Sequence, residues 1–275
     1  MKVAGIVVLY NFNKKVVENI RTYTKYCEIV YAIDNSDKKN NLLEELNKIE
    51  NLEYISLGEN KGIAKALNVG IEKAKENGYK WALTMDQDSY FTENLLDKYE
   101  KIIKLENPDK IAIISPTYNY DRKKLETFSG YKQVEYIMQS ANLINIKIWE
   151  EIGKFKEEFF IDVVDYEYCL RCNKKEYKII QSGEAVLEHS PAITKSKKIL
   201  GKELKYGYCS KTRIYYQARN LLWTAKKYKS IKMYLILMIK WLKILLLFDK
   251  KKEFFKAYYK GIKDCKNNRF GKVRI

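Results

Sequence analysis

The first part of the chain alternates between short apolar runs and longer segments with the periodicity of an amphipathic helix. The apolar runs predict four strands, at Val3–Leu9, Ile29–Ile33, Leu52–Leu57 and Trp81–Met85. The segments between them predict helices at Lys14–Lys25, Asn40–Glu50 and Gly62–Asn77. Because strand–helix alternation at this spacing is typical of a mainly parallel sheet flanked by helices, we expect an α/β fold.

Beyond residue 92 the pattern is less regular. It predicts strands at Ile111–Ser115 and Ala185–His189, and helices at Leu95–Leu105, at Lys147–Gly153 and from Asp165 onward. The segment Tyr118–Ile137 is mixed and suggests a hairpin. After residue 195 the pattern predicts helices only, without a linker rich in Pro or Gly.

Two carboxylates, Asp86 and Asp88, follow the fourth predicted strand. Alternation along an extended chain would place both side chains on the same side, at the strand end where open α/β sheets bind ligands. Such an oxygen pair suits Mg²⁺ or Mn²⁺, which takes its other ligands from water and substrate phosphate. A polar turn after a buried strand is the alternative.

Polar residues also follow the second and third predicted strands. Asp34 fits either a tight turn or a carboxylate that accepts the imide N–H of a uracil or thymine ring. Asn60 can cap a helix that starts near Gly62, and a helix N-terminus with a glycine attracts anions. A capped helix packed on the sheet would account for the same two residues.

A second acidic cluster contains Asp162, Asp165 and Glu167. Acids near a helix start are stabilised by roughly 0.3–1 kcal/mol by the helix dipole, so capping alone explains them. A general base in a half-apolar pocket is the alternative. His189, the single histidine, lies beyond this cluster and is either structural or a metal ligand.

The net charge of +17 is concentrated near the C-terminal end. Residues 195–275 contain 24 Lys and Arg against 4 Asp and Glu, a net charge of +20. Within them, Ile231–Phe248 has 15 apolar residues in 18, with Lys232, Lys240 and Lys243 on one stripe. Such a helix favours the interface of an anionic membrane, because spanning the membrane would bury the lysines. Packing on the rest of the protein or on a second copy is the alternative.

Cysteine usage and the opening residues bear on location. The five cysteines are odd in number and scattered, which argues for a reducing compartment and against a disulfide framework. We expect the Cys169-x-x-Cys172 pair to serve helix packing. The apolar opening is too short for a secretory signal, so no signal peptide is predicted.

The order of these motifs resembles that of family 2 glycosyltransferases of the GT-A fold, over about residues 3 to 220. The segments that carry the resemblance are Val8-Leu9-Tyr10-Asn11, Asp34-Asn35-Ser36, Asn60 to Asn68, Met85-Asp86-Gln87-Asp88, residues 160–171, and Arg213-x-Tyr215-Tyr216-x-x-Arg219-Asn220. Within that family the chain looks most like bacterial rhamnosyltransferases of cell-wall and capsule assembly. The resemblance implies a GT-A domain at 1–220, and we expect residues 221–275 to form a basic helical appendage that binds the membrane.

The resemblance implies site residues as well. Those expected to bind the nucleotide sugar are Tyr10, Asn11, Asp34, Asn60, Gly62, Asn68, Asp86, Arg213 and Arg219. Asp88 would hold Mg²⁺ or Mn²⁺, with His189 as a further metal or diphosphate contact. Asp165 would be the catalytic base, with Asp162 as its rival because Val164 stands where many relatives have glutamate.

The resemblance further implies an inverting, metal-dependent transfer of a sugar onto a lipid-linked glycan. The first expectation for the donor is dTDP-rhamnose, and a UDP-sugar such as UDP-galactofuranose or UDP-galactose is the alternative. The expected place is the cytoplasmic face of the bacterial plasma membrane, with peripheral attachment.

Two other classes agree less well with the residues. A nucleotidyltransferase would carry a Gly-rich basic loop after the first strand, and residues 11–15 contain no glycine. An RNA-binding protein would place its charge beside a stacking sheet, whereas here it lies in an apolar helix, so no nucleic-acid partner is expected.

Overall fold

The structure is a computed structural model that describes residues 1–38, 40–121, 125–189, 193–199 and 201–273. Nine strands form the central sheet: β1 (Val3–Leu9), β2 (Ile29–Asp34), β3 (Leu52–Ser56), β4 (Trp81–Asp86), β5 (Ser89–Tyr90), β6 (Ile111–Asn119), β7 (Tyr131–Gln133), β8 (Asn142–Asn145) and β9 (Lys178–His189). The α-helices are α1 (Lys14–Thr24), α2 (Leu43–Leu46), α3 (Ile63–Glu76), α4 (Leu95–Leu105), α5 (Ile146–Ile152), α6 (Val164–Lys174), α7 (Lys211–Tyr228), α8 (Ile231–Leu247) and α9 (Lys251–Lys266). A separate hairpin is formed by β10 (Ile193–Ile199) and β11 (Lys202–Tyr208).

The sheet is mixed and mainly parallel, as predicted. Its order is β3-β2-β1-β4-β8-β6-β9-β5, with β7 paired to β9. The strands β3, β2, β1 and β4 are parallel, and β8 is antiparallel to both of its neighbours. The register sets Leu9 of β1 opposite Asp34 and Val8 opposite Asp86, so the carboxyl ends of three strands share one edge.

Helices cover both faces of the sheet, and alternation along β1 divides its side chains between two cores. Ala4, Ile6 and Val8 enter a core with α3 and the C-terminal helices, whereas Val7 and Leu9 enter a core with α1 and α4. This alternation is the physical basis of the layered α/β fold.

Three sequence predictions of secondary structure were wrong. The segment Tyr118–Ile137 does not form the suggested hairpin in its described part, because β6 and β7 each pair with β9 and not with each other. The helix expected at Asn40–Glu50 is only the short α2, and β10 and β11 form a hairpin where helices alone were expected. In β11 every second residue from Leu204 onward is aromatic or aliphatic, and Tyr206 is buried with its hydroxyl donating to the carbonyl of Leu247. The hairpin therefore depends on contact with α8, which the local pattern does not reveal.

The boundary predicted between residues 220 and 221 falls inside α7, so the chain has no break there. Helices α7 and α9 pack closely at Gly261, where an added Cβ would lie 2.4 Å from the carbonyl oxygen of Tyr215. The Tyr215 hydroxyl also donates to Asp264. The C-terminal helices thus share the core of the α/β fold. In the described part of the chain, none of the helices has both the length and the apolar character required to cross a bilayer.

Candidate active site

The structure brings Asp86, Asp88 and His189 together at the carboxyl edge of the sheet. Asp86 ends β4, and Asp88 lies in the turn before β5. His189 arrives from β9 because Ser89 pairs with it across the antiparallel β5–β9 ladder. One ligand atom from each of the three side chains lies within 4.8 Å of the others. The two carboxylates and one imidazole therefore form a cluster that can hold a divalent cation.

The state of these side chains fits a cation. Oδ1 of Asp88 is shielded from solvent and has no hydrogen-bond partner among the described residues, although His189 Nδ1 lies 3.3 Å away. A shielded oxygen without a partner costs about 1–3 kcal/mol, which a metal ion would offset. Burial, followed by the charge of Asp88, raises the pKa of Asp86 to about 7. A bound divalent ion would give the Asp88 oxygen a partner. It would also lower the pKa of Asp86, because a cation favours ionised carboxylates.

The second acidic cluster lies at the start of α6, and its two aspartates differ in their partners. Asp162 is paired with Arg213, whose Nε lies 3.0 Å from Oδ2, and Gln217 donates to Oδ1. Asp165 accepts only backbone amides in the described structure, from Gln139 at 2.9 Å and from Tyr166 at 2.9 Å. Burial raises the pKa of Asp165 to about 6.

One short loop before β8 connects the two acidic clusters. The Gln139 amide donates to Asp165, and the Ser140 hydroxyl accepts from the Asp86 amide at 3.1 Å. Ser140 Oγ also donates to Ser89 Oγ, which bonds His189 Nδ1 at 2.7 Å. Ser140 has a φ of +128°, a conformation that costs energy outside glycine and clusters at functional sites. Neither Gln139 nor Ser140 was predicted from the sequence, because no motif marks them.

The residues expected at the nucleotide base lie at the ends of β1 and β2. Asp34 is 2% exposed, and its two carboxylate oxygens accept from the Ser36 amide at 2.9 Å and the Tyr54 hydroxyl at 2.6 Å. The amide of Asn11 donates to Ser36 Oγ at 2.7 Å. Tyr10 is 43% exposed, so its ring is available for stacking. Asp34 keeps further lone pairs for a ligand, since a carboxylate offers about four acceptor sites.

The expectation that Asn60 caps α3 was wrong. The cap residue is Gly62, with a φ of +89°, and Asn60 instead accepts from the Gly62 amide and from Asn35 Nδ2. The first amide of α3, on Ile63, donates to the Phe160 carbonyl at 2.7 Å. An added Cβ on Gly62 would lie 2.6 Å from that same oxygen. A glycine is thus required at position 62 because the backbone of Phe160 approaches it closely. The Ile63 amide, at the helix N-terminus expected to attract an anion, already donates to Phe160.

Asn68 and Arg219 were expected to bind the nucleotide sugar, and the structure places both in the interior with no exposed surface. Asn68 bonds the amide and the carbonyl of Phe155. Arg219 donates to the carbonyls of Glu158, Phe159 and Gly271. Both side chains therefore stabilise the backbone of residues 155–159 through hydrogen bonds, and we remove them from the candidate site.

The neighbouring Asn220 has the same structural role. Its Nδ2 donates to three carbonyl oxygens, those of Phe159, Ile161 and Asp162. This contact shapes the loop in which Phe160, Asp162 and Val163 all have positive φ values. Helix α7 therefore fixes the loop that carries Asp162 and leads into Asp165, while Arg213 alone of the two arginines reaches the acids.

The chain is similar in sequence to known glycosyltransferases. The family model for glycosyl transferase family 2 matches residues 6–163. The dTDP-rhamnosyl transferase RfbF of Shigella flexneri is 28% identical over 239 residues, which cover 81% of this chain and 79% of that protein.

Solved structures share the fold at low identity. GalNAc-T7 with UDP, GalNAc and Mn²⁺ matches with a TM-score of 0.64 and 12% identity, over 97% of this chain and 57% of its own. The chain thus spans little more than half of that protein. TarS 1-349 of S. aureus in complex with UDP-GlcNAc matches with a TM-score of 0.64 and 14% identity, over 96% and 81%. With the family model matched over more than half of its length, the chain belongs to the family 2 glycosyltransferases and has their GT-A fold.

Proposed function

We propose that this glycosyltransferase moves L-rhamnose from dTDP-rhamnose onto a lipid-linked glycan, with inversion at the anomeric carbon and with the help of Mg²⁺ or Mn²⁺. The observation that carries the chemistry is the meeting of Asp86, Asp88 and His189 with Asp165 at one sheet edge. The similarity to a dTDP-rhamnosyl transferase supports the donor. A UDP-sugar remains the alternative, because both solved relatives were captured with UDP or a UDP-sugar.

The nucleotide would bind at the ends of β1 and β2. Asp34 would accept the imide N–H of thymine while it keeps its bonds to Ser36 and Tyr54. The exposed ring of Tyr10 would lie against the base, with Asn11 beside it. Asn60 would contact the nucleotide from the turn before α3. Asp86, at the end of the neighbouring strand β4, would approach the sugar of the nucleoside.

Asp88 would hold the divalent ion with His189, and the ion when bound would neutralise charge on the leaving diphosphate. The orphaned Oδ1 of Asp88 supports this assignment. Arg213 would supply a fixed positive charge to the same diphosphate, because its guanidinium is partly exposed and contributes to the pKa of Asp86. A guanidinium suits this task because it stays charged and can bond two oxygens at once.

Asp165 would act as the base that takes the proton from the acceptor hydroxyl. With a pKa of about 6, it is ionised at neutral pH and still basic enough to accept a proton. Asp162 is a poorer base because its carboxylate is neutralised by Arg213 and bonded by Gln217. The two backbone amides on Asp165 hold the carboxylate in one orientation without neutralising it.

The acceptor and the place of action are part of the same proposal. The net charge of +20 in residues 195–275 supports peripheral attachment to the cytoplasmic face of a bacterial plasma membrane. A lipid-linked glycan of cell-wall or capsular polysaccharide assembly would be presented on that surface.

A panel of nucleotide sugars tests the proposed donor. The purified full chain is incubated with dTDP-rhamnose, UDP-galactose, UDP-galactofuranose, UDP-glucose and UDP-GlcNAc, each with Mg²⁺, with Mn²⁺ or with a chelator. We expect release of the nucleoside diphosphate to be fastest with dTDP-rhamnose and to require the metal. Faster release from a UDP-sugar would show that the donor is not dTDP-rhamnose. Equal rates with metal and with chelator would show that the reaction requires no divalent ion.

A further inference from the structure

Helix α8 has one buried side and one exposed apolar side. Its buried residues are Met233, Leu237, Ile244 and Leu247. We call the exposed side the outer face of α8, and its large hydrophobic side chains, 37–75% exposed, are Ile231, Tyr234, Leu235, Met238, Ile239, Leu242, Leu245 and Leu246. These are eight of the fourteen exposed large hydrophobic side chains in the described structure, so exposed apolar surface is concentrated on this helix.

Hydrogen bonds from neighbouring elements hold α8 in this orientation. The hydroxyl of Tyr258 on α9 donates to the carbonyl of Leu237 at 3.1 Å. At the end of α8, Lys197 and Tyr206 of the hairpin donate to the carbonyls of Leu246 and Leu247, at 3.0 and 2.9 Å. The outer face therefore stays turned away from the protein core.

The lysine stripe of α8 does not lie at the centre of this surface. Lys232 pairs with Glu135, and Lys243 donates to the carbonyl of Gly207 at 2.5 Å. These contacts direct both side chains toward neighbouring parts of the protein. These two lysines are therefore left out of the surface that we define below.

Helix α9 supplies a different row of positive charge beside α8. Its exposed residues Lys252, Lys256, Tyr259, Lys263 and Lys266 are spaced four, three, four and three residues apart, so they share one side of the helix. We call these four lysines the lysine row of α9. Tyr259, within the row, accepts a hydrogen bond from Trp241 of α8 at 2.9 Å.

An aromatic seam joins the two features. Phe255 packs against Trp241 with ring centroids 5.4 Å apart, and against Tyr259 at 6.1 Å. The surface thus passes from apolar side chains through aromatic side chains to lysines. This order matches the depth profile of a bilayer surface, where aromatic rings lie at the headgroup level and cations meet anionic headgroups.

We propose that the outer face of α8 and the lysine row of α9 form a membrane-docking face that lies in the plane of an anionic bilayer. The apolar residues enter the acyl boundary, and the lysines bind the headgroups. The proposal deepens the peripheral attachment proposed above by naming its surface, and it does not depend on which sugar is transferred.

The charge favours lipid over a second copy of the chain as the occupant. Two copies joined through this face would bring their lysine rows close together. Each copy of the chain carries a net charge of +20 in residues 195–275. Such repulsion opposes self-association, whereas the same charge attracts an anionic bilayer.

Two sets of substitutions test the docking face in the full chain. The first replaces the lysine row, with Lys252→Gln, Lys256→Gln, Lys263→Gln and Lys266→Gln. Its matched control replaces four exposed lysines elsewhere, with Lys25→Gln, Lys48→Gln, Lys101→Gln and Lys175→Gln. The second set is Leu235→Gln, Ile239→Gln and Leu246→Gln, with the exposed Leu105→Gln as control.

Sedimentation with vesicles is the measurement, using phosphatidylcholine alone or with about one third phosphatidylglycerol. The wild-type chain is expected to bind the anionic vesicles at least about tenfold more tightly than the neutral ones. Each docking-face set should weaken anionic binding by at least about tenfold, and each control by less than about twofold. Unchanged circular dichroism and melting temperature in each variant show that the fold is intact.

Two results would overturn the proposal. One is anionic binding that both docking-face sets leave intact, or that the control lysines reduce equally. The other is a dimer in solution that the leucine and isoleucine substitutions convert to a monomer without any loss of vesicle binding. Nucleotide-sugar turnover, measured in parallel, reports on the proposed function separately, because vesicle binding requires no catalysis.

Discussion

Arg213 and Asp162 form a two-point ion pair, with Nε 3.0 Å from Oδ2 and Nη2 2.5 Å from Oδ1. The pair joins α7 to the loop that leads into α6, and it neutralises one of the two aspartates that compete for the role of base. Asp165, three residues later, has backbone amides as partners and a raised pKa. The structure therefore separates two acids that the sequence left as rivals.

Replacing Asp165 with asparagine should lower the rate of sugar transfer by about 10²–10⁴, because the proton acceptor is removed. Donor affinity should change little, since Asp165 is assigned to the acceptor hydroxyl. The measurement is kcat and KM for the donor, together with the dissociation constant of dTDP. Asp162→Asn is the comparison, and it should chiefly weaken dTDP binding by releasing Arg213. If Asp162→Asn costs the larger factor in kcat at unaltered stability, Asp165 is not the base.

Activity should depend on pH through Asp165. Because burial raises the pKa of this carboxyl to about 6, it is protonated and inactive as a base below that pH, and ionised above it. We expect kcat/KM to fall about tenfold per pH unit below pH 6 and to level off above it. Residual turnover by Asp165→Asn should lack this acid limb. A limb that persists unchanged in that variant would assign the titration to another group.

Asp88→Asn should strongly weaken metal binding and turnover while the protein stays folded, because it removes one of the ligand oxygens in the turn between β4 and β5. Electron paramagnetic resonance of Mn²⁺, titrated with dTDP present, measures the bound ion directly. We expect at least about a 10² loss of turnover. Asp97→Asn, at an exposed aspartate on α4, is the matched control and should leave both signals unchanged. Normal Mn²⁺ binding by Asp88→Asn would contradict the metal assignment.

Substitution of Arg219 should lower stability, whereas substitution of Arg213 should lower the affinity for dTDP. Arg219→Lys should lower the free energy of unfolding by about 2–4 kcal/mol, because the buried guanidinium bonds three carbonyls that one ammonium cannot reach together. Its affinity for dTDP should stay within about twofold of wild type. Arg213→Lys should weaken dTDP by about tenfold at near-normal stability. Urea unfolding measures the free energy of unfolding, and calorimetric titration measures the affinity for dTDP. Loss of dTDP affinity in Arg219→Lys with loss of stability in Arg213→Lys would assign Arg219 to the diphosphate site instead.

The sequence predicted the sheet and the acids at its edge because both follow from local rules. Apolar runs of strand length alternate with helices, and the acids that end β2 and β4 must share the carboxyl edge of a parallel sheet. Asp34, Asp86 and Asp88 were found in this way. His189 was offered as a metal ligand from its place after the second acidic cluster and from the family resemblance. Its position beside Asp88 depends on the pairing of Ser89 with a strand a hundred residues later, which local rules do not reveal.

The errors arose where a side chain meets the backbone of a distant segment. Asn68 and Arg219 stand in segments that match the family motifs. The spacing of those motifs does not reveal that the partners of these side chains are backbone groups of residues 155–159. Asn60 has the composition of a helix cap, yet the approach of Phe160 makes Gly62 the cap residue. Ser140 carries no sequence signal at all, because its role depends on an unusual φ and on three partners from other strands, Asp86, Ser89 and Tyr118.

The stereochemistry of donor hydrolysis tests the central claim most directly. A single displacement at the anomeric carbon, in which Asp165 takes the proton of the attacking hydroxyl or water and no covalent sugar intermediate forms, inverts that carbon. Proton NMR of the first sugar released from dTDP-rhamnose, recorded before mutarotation, should show the anomer opposite to that of the donor, and Asp165→Asn should slow its appearance by about 10²–10⁴. Release of the anomer that retains the donor's configuration, or an equal rate in Asp165→Asn, would contradict the account.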